Sequence, residues 1–185
     1  MTNIGTAPLP REPYAGLPDL PEFTLTSTDI QDGGTAPEWM LSALFGVAGG
    51  QDRSPQLSWS GFPEGTKSFV LTCFDPDAPT PSGWWHWAVL DIDAATPYLA
   101  QNVGRSDLFL EGACFHARND LGTWSYYGPY PPAGDGPHRY IFTVYALDVP
   151  TLELDGDTSI AAVAFHALSH TLARAELTVT YEIKA

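Results

Sequence analysis

The chain has 185 residues, 44% of them hydrophobic and 16% charged, with a formal net charge of −14. That length fits one domain with a substantial core, and the negative field argues against readers of nucleic-acid backbones and against adsorption to anionic membranes. No run approaches the roughly 18 apolar residues of a membrane span, so neither nucleic acid nor stable membrane insertion is expected.

Residues 1–21 are rich in proline and lack periodicity. They read as an extended arm, leaving 22–185 as a single domain. No apolar signal-peptide core is visible near the N-terminus, so a cytoplasmic location is expected. Phe23 and Leu25 alternate with Thr24 and Thr26, the pattern of a first strand. Residues 31–55 read as irregular, with one helical turn near 39–45. A short strand is expected at 57–59, and strong strands at 68–74 and 85–92, where both faces are apolar. Residues 112–117 suit a short strand, and 119–138 a long ordered loop of the kind that usually carries function. A third strong strand is expected at 140–149.

The apolar set Ile160, Val163, Ala164, Ala167, Leu168, Leu172 and Ala175 has helical period. Asp157, Thr158 and Ser159 precede it as N-cap candidates, and Arg174 suits its C-terminal end. Strand alternation returns at 176–183. The fold class expected is mainly β and antiparallel, with a helix near the C-terminus. Cys73 and Cys114 lie in apolar runs and read as buried, reduced thiols.

Two polar clusters interrupt this apolar pattern. In the first, alternation puts Leu71, Cys73 and Asp75 on one side of a strand that Pro76 must end. Asp75 and Asp77 then sit at the strand's mouth; alone they would more often form an Asx turn. His86 follows between Trp85 and Trp87, where a polar ring needs a partner. A nearby carboxylate would fix its tautomer and favour its charged form. In the second cluster, His138 and Tyr140 share a face, while Arg139 points away toward an ion pair or loop carbonyls. The loop before them holds Pro129, Pro131, Pro132 and Pro137, a stiffness suited to a preformed pocket wall.

These residues resemble a known family. Asp75-Pro76-Asp77-Ala78-Pro79 followed by His86-Trp87 is similar to the first signature of the phosphatidylethanolamine-binding proteins. Tyr130-Pro131-Pro132, then Gly136-Pro137-His138-Arg139-Tyr140, resembles the second. Asn119-Asp120-Leu121-Gly122 and the ending from Ala173 to Tyr181 look like the bacterial Raf-kinase-inhibitor-like branch. The resemblance implies a Greek-key arrangement of a large central sheet and a smaller sheet, with an anion pocket at one edge. It assigns Asp75, Asp77, His86, Pro131, Pro132, His138 and Tyr140 to that pocket. Tyr130 stands where many members have glycine, and its phenol is expected to narrow or roof the site.

The ligand so implied is phosphate, a phosphoethanolamine-like head group or a small carboxylate. Asp75 would orient or charge a histidine, and Asp77 would take a ligand ammonium. The resemblance also implies modulation of a partner kinase or protease, and self-association as a homodimer. No cofactor or metal is expected, and no enzyme: a Gly-x-Ser-x-Gly elbow is missing and neither cysteine has an electropositive setting. The alternatives are a hydrolase using Asp/His acid–base chemistry and a metal site built from the two Asp and two His. His166 and His170, four apart on the expected helix, could clip a metal but read better as a flank of the apolar stripe.

Overall fold

Strands that are apolar on both faces need cover on both sides, and that requirement organises this protein. Residues 12–185 are described by a computed structural model. Among them the order is β1 (Thr24–Thr26), β2 (Gly34–Thr35), β3 (Leu57–Ser60), β4 (Ser68–Asp75), β5 (Trp84–Asp93), β6 (Tyr98–Leu99), β7 (Phe115–His116), β8 (His138–Leu147), α1 (Ile160–Leu168) and β9 (Thr171–Tyr181). Short 3-10 turns occupy Glu38–Met40, Val103–Arg105 and Asp107–Phe109. A six-stranded sheet has the order β2-β9-β8-β4-β5-β7, and a three-stranded sheet the order β1-β3-β6.

β4 lies between β5 and β8 and is buried at all eight positions. Phe69, Leu71 and Cys73 join Phe142 and Val144 of β8 in the core shared with Leu25, Leu57 and Trp59 of the small sheet. The opposite face of the large sheet carries Val70, Leu90, Tyr145 and Leu147, covered by Ile160, Val163 and Ala167 of α1. Each large side chain so buried contributes roughly 1.5–3 kcal/mol. Cys73 and Cys114 are buried free thiols.

The helix departs from its expected length. It starts where the caps place it, with Ser159 Oγ accepting from Ala162 N, but it ends at Leu168. His170 N and Thr171 Oγ1 both turn back to the Ala167 carbonyl. From Thr171 the chain pairs with β8 along its whole length, from Leu147↔Thr171 to His138↔Tyr181. Leu172 and Ala175 continue the helical period in sequence, but on β9 they fall on opposite faces, Ala175 buried and Leu172 half-buried, and the long ladder decides. Arg174 therefore lies on β9, not at a helix end, with its guanidinium 3.9 Å from the Tyr14 ring centroid. The sheet is also not wholly antiparallel, because β2 pairs with β9 in parallel. β2 and β6 are two residues each, too short for periodicity to reveal, and β7 is shorter than the expected 112–117.

Part of the expected arm, 1–11, lies outside the described residues. The remainder lies against the large sheet: Tyr14 Oη is 2.6 Å from Thr143 Oγ1, and Arg174 N donates to the Pro21 carbonyl. No described helix is long and apolar enough to cross a membrane.

Candidate functional site

The end of β4 and the start of β8 bring the two polar clusters together. Pairing of β4 stops at Asp75, and Asp75 Oδ1 accepts from Asp77 N at 2.8 Å and Ala78 N at 2.9 Å. This Asx turn is what an Asp-Pro step favours. The other oxygen, Oδ2, lies 2.8 Å from His138 Nδ1. His138 Nε2 is 3.2 Å from Asp135 Oδ2. Burial works against charging His138, but the hydrogen bonds and charges of Asp75 and Asp135 outweigh it and hold the ring above the usual imidazole value. His138 is thus an imidazolium that donates to a carboxylate from each nitrogen.

His86 has a different setting. Its Nδ1 donates to the Tyr127 carbonyl at 2.7 Å. The ring stacks on Tyr127, with centroids 5.0 Å apart, and meets Tyr140 edge-on at 5.1 Å. Burial pushes its pKa below the usual imidazole value, and the Asp75 charge and Tyr127 carbonyl only partly oppose this. The expectation of a charged, carboxylate-oriented His86 is corrected here. A backbone carbonyl sets the tautomer, and burial keeps the ring neutral with its lone pair on Nε2.

Tyr140 is 1% exposed, and its hydroxyl has no hydrogen-bond partner among the described residues. Burial raises the phenol well above its ordinary value, so it remains a donor.

Asp77 is also corrected. Its Oδ2 accepts from Arg139 N at 2.9 Å and Nε at 2.8 Å, and Oδ1 accepts from Nη2 at 2.9 Å. Burial tends to raise the Asp77 pKa, but Arg139 brings it below the usual carboxylate range. Asp77 is therefore committed to tethering the turn to β8, and it does not stand open to a ligand ammonium. Arg139 points away from His138, as alternation requires, and also faces Glu12 at 3.6 Å.

Tyr130 does not roof the histidines. It is 45% exposed and stacks on Phe45 at 4.9 Å, and Phe45 meets Tyr127 edge-on at 5.7 Å. It is the outer end of an aromatic row that runs through Tyr127 and His86 to Tyr140. Pro131 is buried and Pro132 exposed.

Three supporting residues escaped the sequence reading. Asp135 caps His138, and the glycines flanking it, Gly134 at φ +80° and Gly136 at φ +94°, are the only local signal. Tyr127 orients His86 through a carbonyl, which no side-chain pattern reveals. Asp52 accepts from Ala43 N, Leu44 N and Gly128 N and so fixes the segment that carries Tyr127. A side chain at Gly128 would collide with the Met40 carbonyl.

His166 and His170 do not share the helix, since α1 ends at Leu168, and His170 Nδ1 pairs with Asp148 Oδ1 at 3.0 Å. Among the described residues no group of three or more His, Cys, Asp or Glu side chains is arranged to hold a metal ion. Burial raises both thiols, Cys73 well above its ordinary value and Cys114 to about 11, so neither is poised as a nucleophile.

Comparison with known proteins agrees with this architecture. The family model for phosphatidylethanolamine-binding protein matches residues 26–182. The UPF0098 protein YbcL of Escherichia coli is 44% identical over 163 residues, 88% of each chain. The UPF0098 protein YbhB of the same organism is 43% identical over 157 residues, 85% of this chain and 98% of the relative. The crystal structure of E. coli YbcL, itself described as a member of the mammalian PEBP family, superposes with a TM-score of 0.84, covering 88% of this chain and 99% of that one. Both polar clusters and the whole six-stranded sheet fall inside the matched span, and the chain belongs to the phosphatidylethanolamine-binding protein family.

Proposed function

We propose that the protein binds a small oxyanion at the cluster of His86, Tyr140, His138 and Asp75. The ligand is phosphate, a phosphorylated head group such as phosphoethanolamine, or a small carboxylate. The observation that carries this reading is the Tyr140 hydroxyl beside the His86 ring, a buried and protonated donor without a partner among the described residues. Leaving such a donor unmatched costs about 1–3 kcal/mol, which an anionic oxygen would relieve.

Two carboxylates at the strand's mouth ought to repel an anion. Each has its own cation, however: His138 for Asp75 and Arg139 for Asp77. The Asp135 carboxylate is then the one charge of the group left over. His86 offers a lone pair at Nε2, so an oxyanion must bring a proton there, or the ring must take one from solvent. Binding is therefore coupled to proton uptake and weakens as pH rises. The free buried thiols suit a reducing compartment, and the cytoplasm is the location proposed.

Calorimetry of inorganic phosphate, phosphoethanolamine and acetate tests this, run in two buffers of different ionisation enthalpy. Uptake of about one proton, lost together with affinity in His86→Gln, is expected. Equal heats in both buffers and an unchanged affinity in His86→Gln would sink the proposal. The order of affinities separates free phosphate from a head group.

A further inference from the structure

We infer that a second oxyanion site lies on the far side of Tyr127, where Arg53 and Arg105 line one cavity that takes a small polar molecule bearing a carboxylate or phosphate. The cavity has a volume of about 540 Å³, and Asn102, Thr123 and Ser125 share its wall with the two arginines. That size is within the roughly 300–1,000 Å³ of small-molecule sites. It contains none of His86, His138, Asp75 or Tyr140, and Tyr127 lies between the two sites.

The charge pattern is the first argument. The chain has 22 Asp and Glu against 8 Lys and Arg, so carboxylates are abundant. The arginines in ion pairs among the described residues are Arg139 and Arg174. Arg53 and Arg105 have no such partner, although they line the same cavity. The carboxylate on its wall, Asp52, is already taken by three backbone N–H groups of Ala43, Leu44 and Gly128.

The second argument is orientation. Arg53 donates from Nη2 to Gln101 Oε1 at 2.5 Å and from Nη1 to Gln51 Oε1 at 3.4 Å, with its guanidinium 5.9 Å from the Trp39 ring centroid. Its Nε is buried without a partner. Arg105 lies over the Phe109 ring at 4.6 Å. Neutral amides and aromatic faces thus hold both guanidinium planes in place without neutralising them. A guanidinium whose plane is fixed and whose charge is unmet is a fork for a carboxylate or phosphate. A freely solvated Arg53 would not account for its buried Nε, which has no partner among the described residues. The Thr123 hydroxyl is engaged by the Asn119 side chain and lies 3.1 Å from Ser125 Oγ, so the amide of Asn102 and the hydroxyl of Ser125 would meet the polar body of such a ligand.

The test is a titration of the ¹⁵N-labelled full chain with citrate, and separately with inorganic phosphate, at low salt. Saturable shifts are expected at the amides of Asn102, Thr123 and Ser125 with at least one probe. Arg105→Gln should weaken that binding about tenfold, the loss of one charge-assisted contact, and Arg53→Gln/Arg105→Gln should abolish it. Arg105 is exposed, so its single variant remains informative if Arg53→Gln disturbs folding. His86→Gln should leave these shifts in place, which separates this site from the first. No saturable shift at the three amides with either probe, or an unchanged affinity in Arg105→Gln, would overturn the inference.

Discussion

His138 and His86 are both nearly sealed from solvent, at 2% and 3% exposure, yet burial leaves one charged and the other neutral. The difference lies in what meets each ring nitrogen. His138 has a carboxylate at each end, and that repays the desolvation of an imidazolium. His86 has a carbonyl at Nδ1 and aromatic rings on a face and an edge. Burial alone does not set the protonation of a histidine. In this protein the charged ring holds the framework, and the neutral ring is left with a lone pair for chemistry.

The largest effect should come from breaking the charged side of this contrast. Asp75→Ala removes the partner of a buried imidazolium and two turn hydrogen bonds together. A loss of roughly 3–5 kcal/mol of stability is expected by denaturant unfolding. A variant within 1 kcal/mol of the parent (about the effect of an average substitution) would show that the pair does not hold the site. Arg139→Lys keeps the charge opposite Asp77 but loses the fork, so a smaller loss of about 1–2 kcal/mol is expected.

The pH dependence sharpens the contrast further. The folded pKa of His138 is raised, so its contribution is full below the unfolded imidazole value and is lost as pH rises through the folded value. The folded pKa of His86 is lowered, so its contribution is full above the unfolded value and is lost as pH falls through the folded one. Asp77 is lowered as well, and its share is present above the unfolded carboxylate value and disappears as pH falls through the folded one. Denaturant midpoints measured from pH 4 to 9 (a range chosen about the ordinary imidazole value) should therefore fall on both sides. Asp135→Asn should flatten the alkaline side and His86→Gln the imidazole part of the acid side. A common effect of both variants on one side would contradict the assignment.

The smallest effect is expected at the outer end of the aromatic row. Tyr130→Ala removes an exposed stacking partner of Phe45 and should cost no more than about 1 kcal/mol. Phosphate affinity should change less than in His86→Gln, and an equal loss would return Tyr130 to the pocket.

Much of this was legible in the chain itself. The apolar runs of β4, β5 and β8 carry the central sheet, and Pro76 marks the end of β4. Alternation also separates His138 and Tyr140 from Arg139. The helix end is not legible because Leu172 and Ala175 continue the i, i+3, i+4 spacing of α1 although they lie on opposite faces of β9, and only the ladder with β8 reveals the strand. The site's residues were legible, but their pairing was not. That Asp75 serves His138 and not His86 follows from the meeting of the β4 end with the β8 start and from a carbonyl at Tyr127. That Asp77 belongs to Arg139 depends on contacts 62 residues apart in sequence.

Tyr140→Phe tests the central claim most directly. It deletes the buried hydroxyl beside His86 that lacks a partner among the described residues, and nothing else. The stability of the ligand-free protein should stay level or rise slightly, because an unmatched donor is removed. Phosphate affinity measured by calorimetry on the same sample should fall about tenfold. Unchanged phosphate affinity in a stably folded Tyr140→Phe protein would contradict the account.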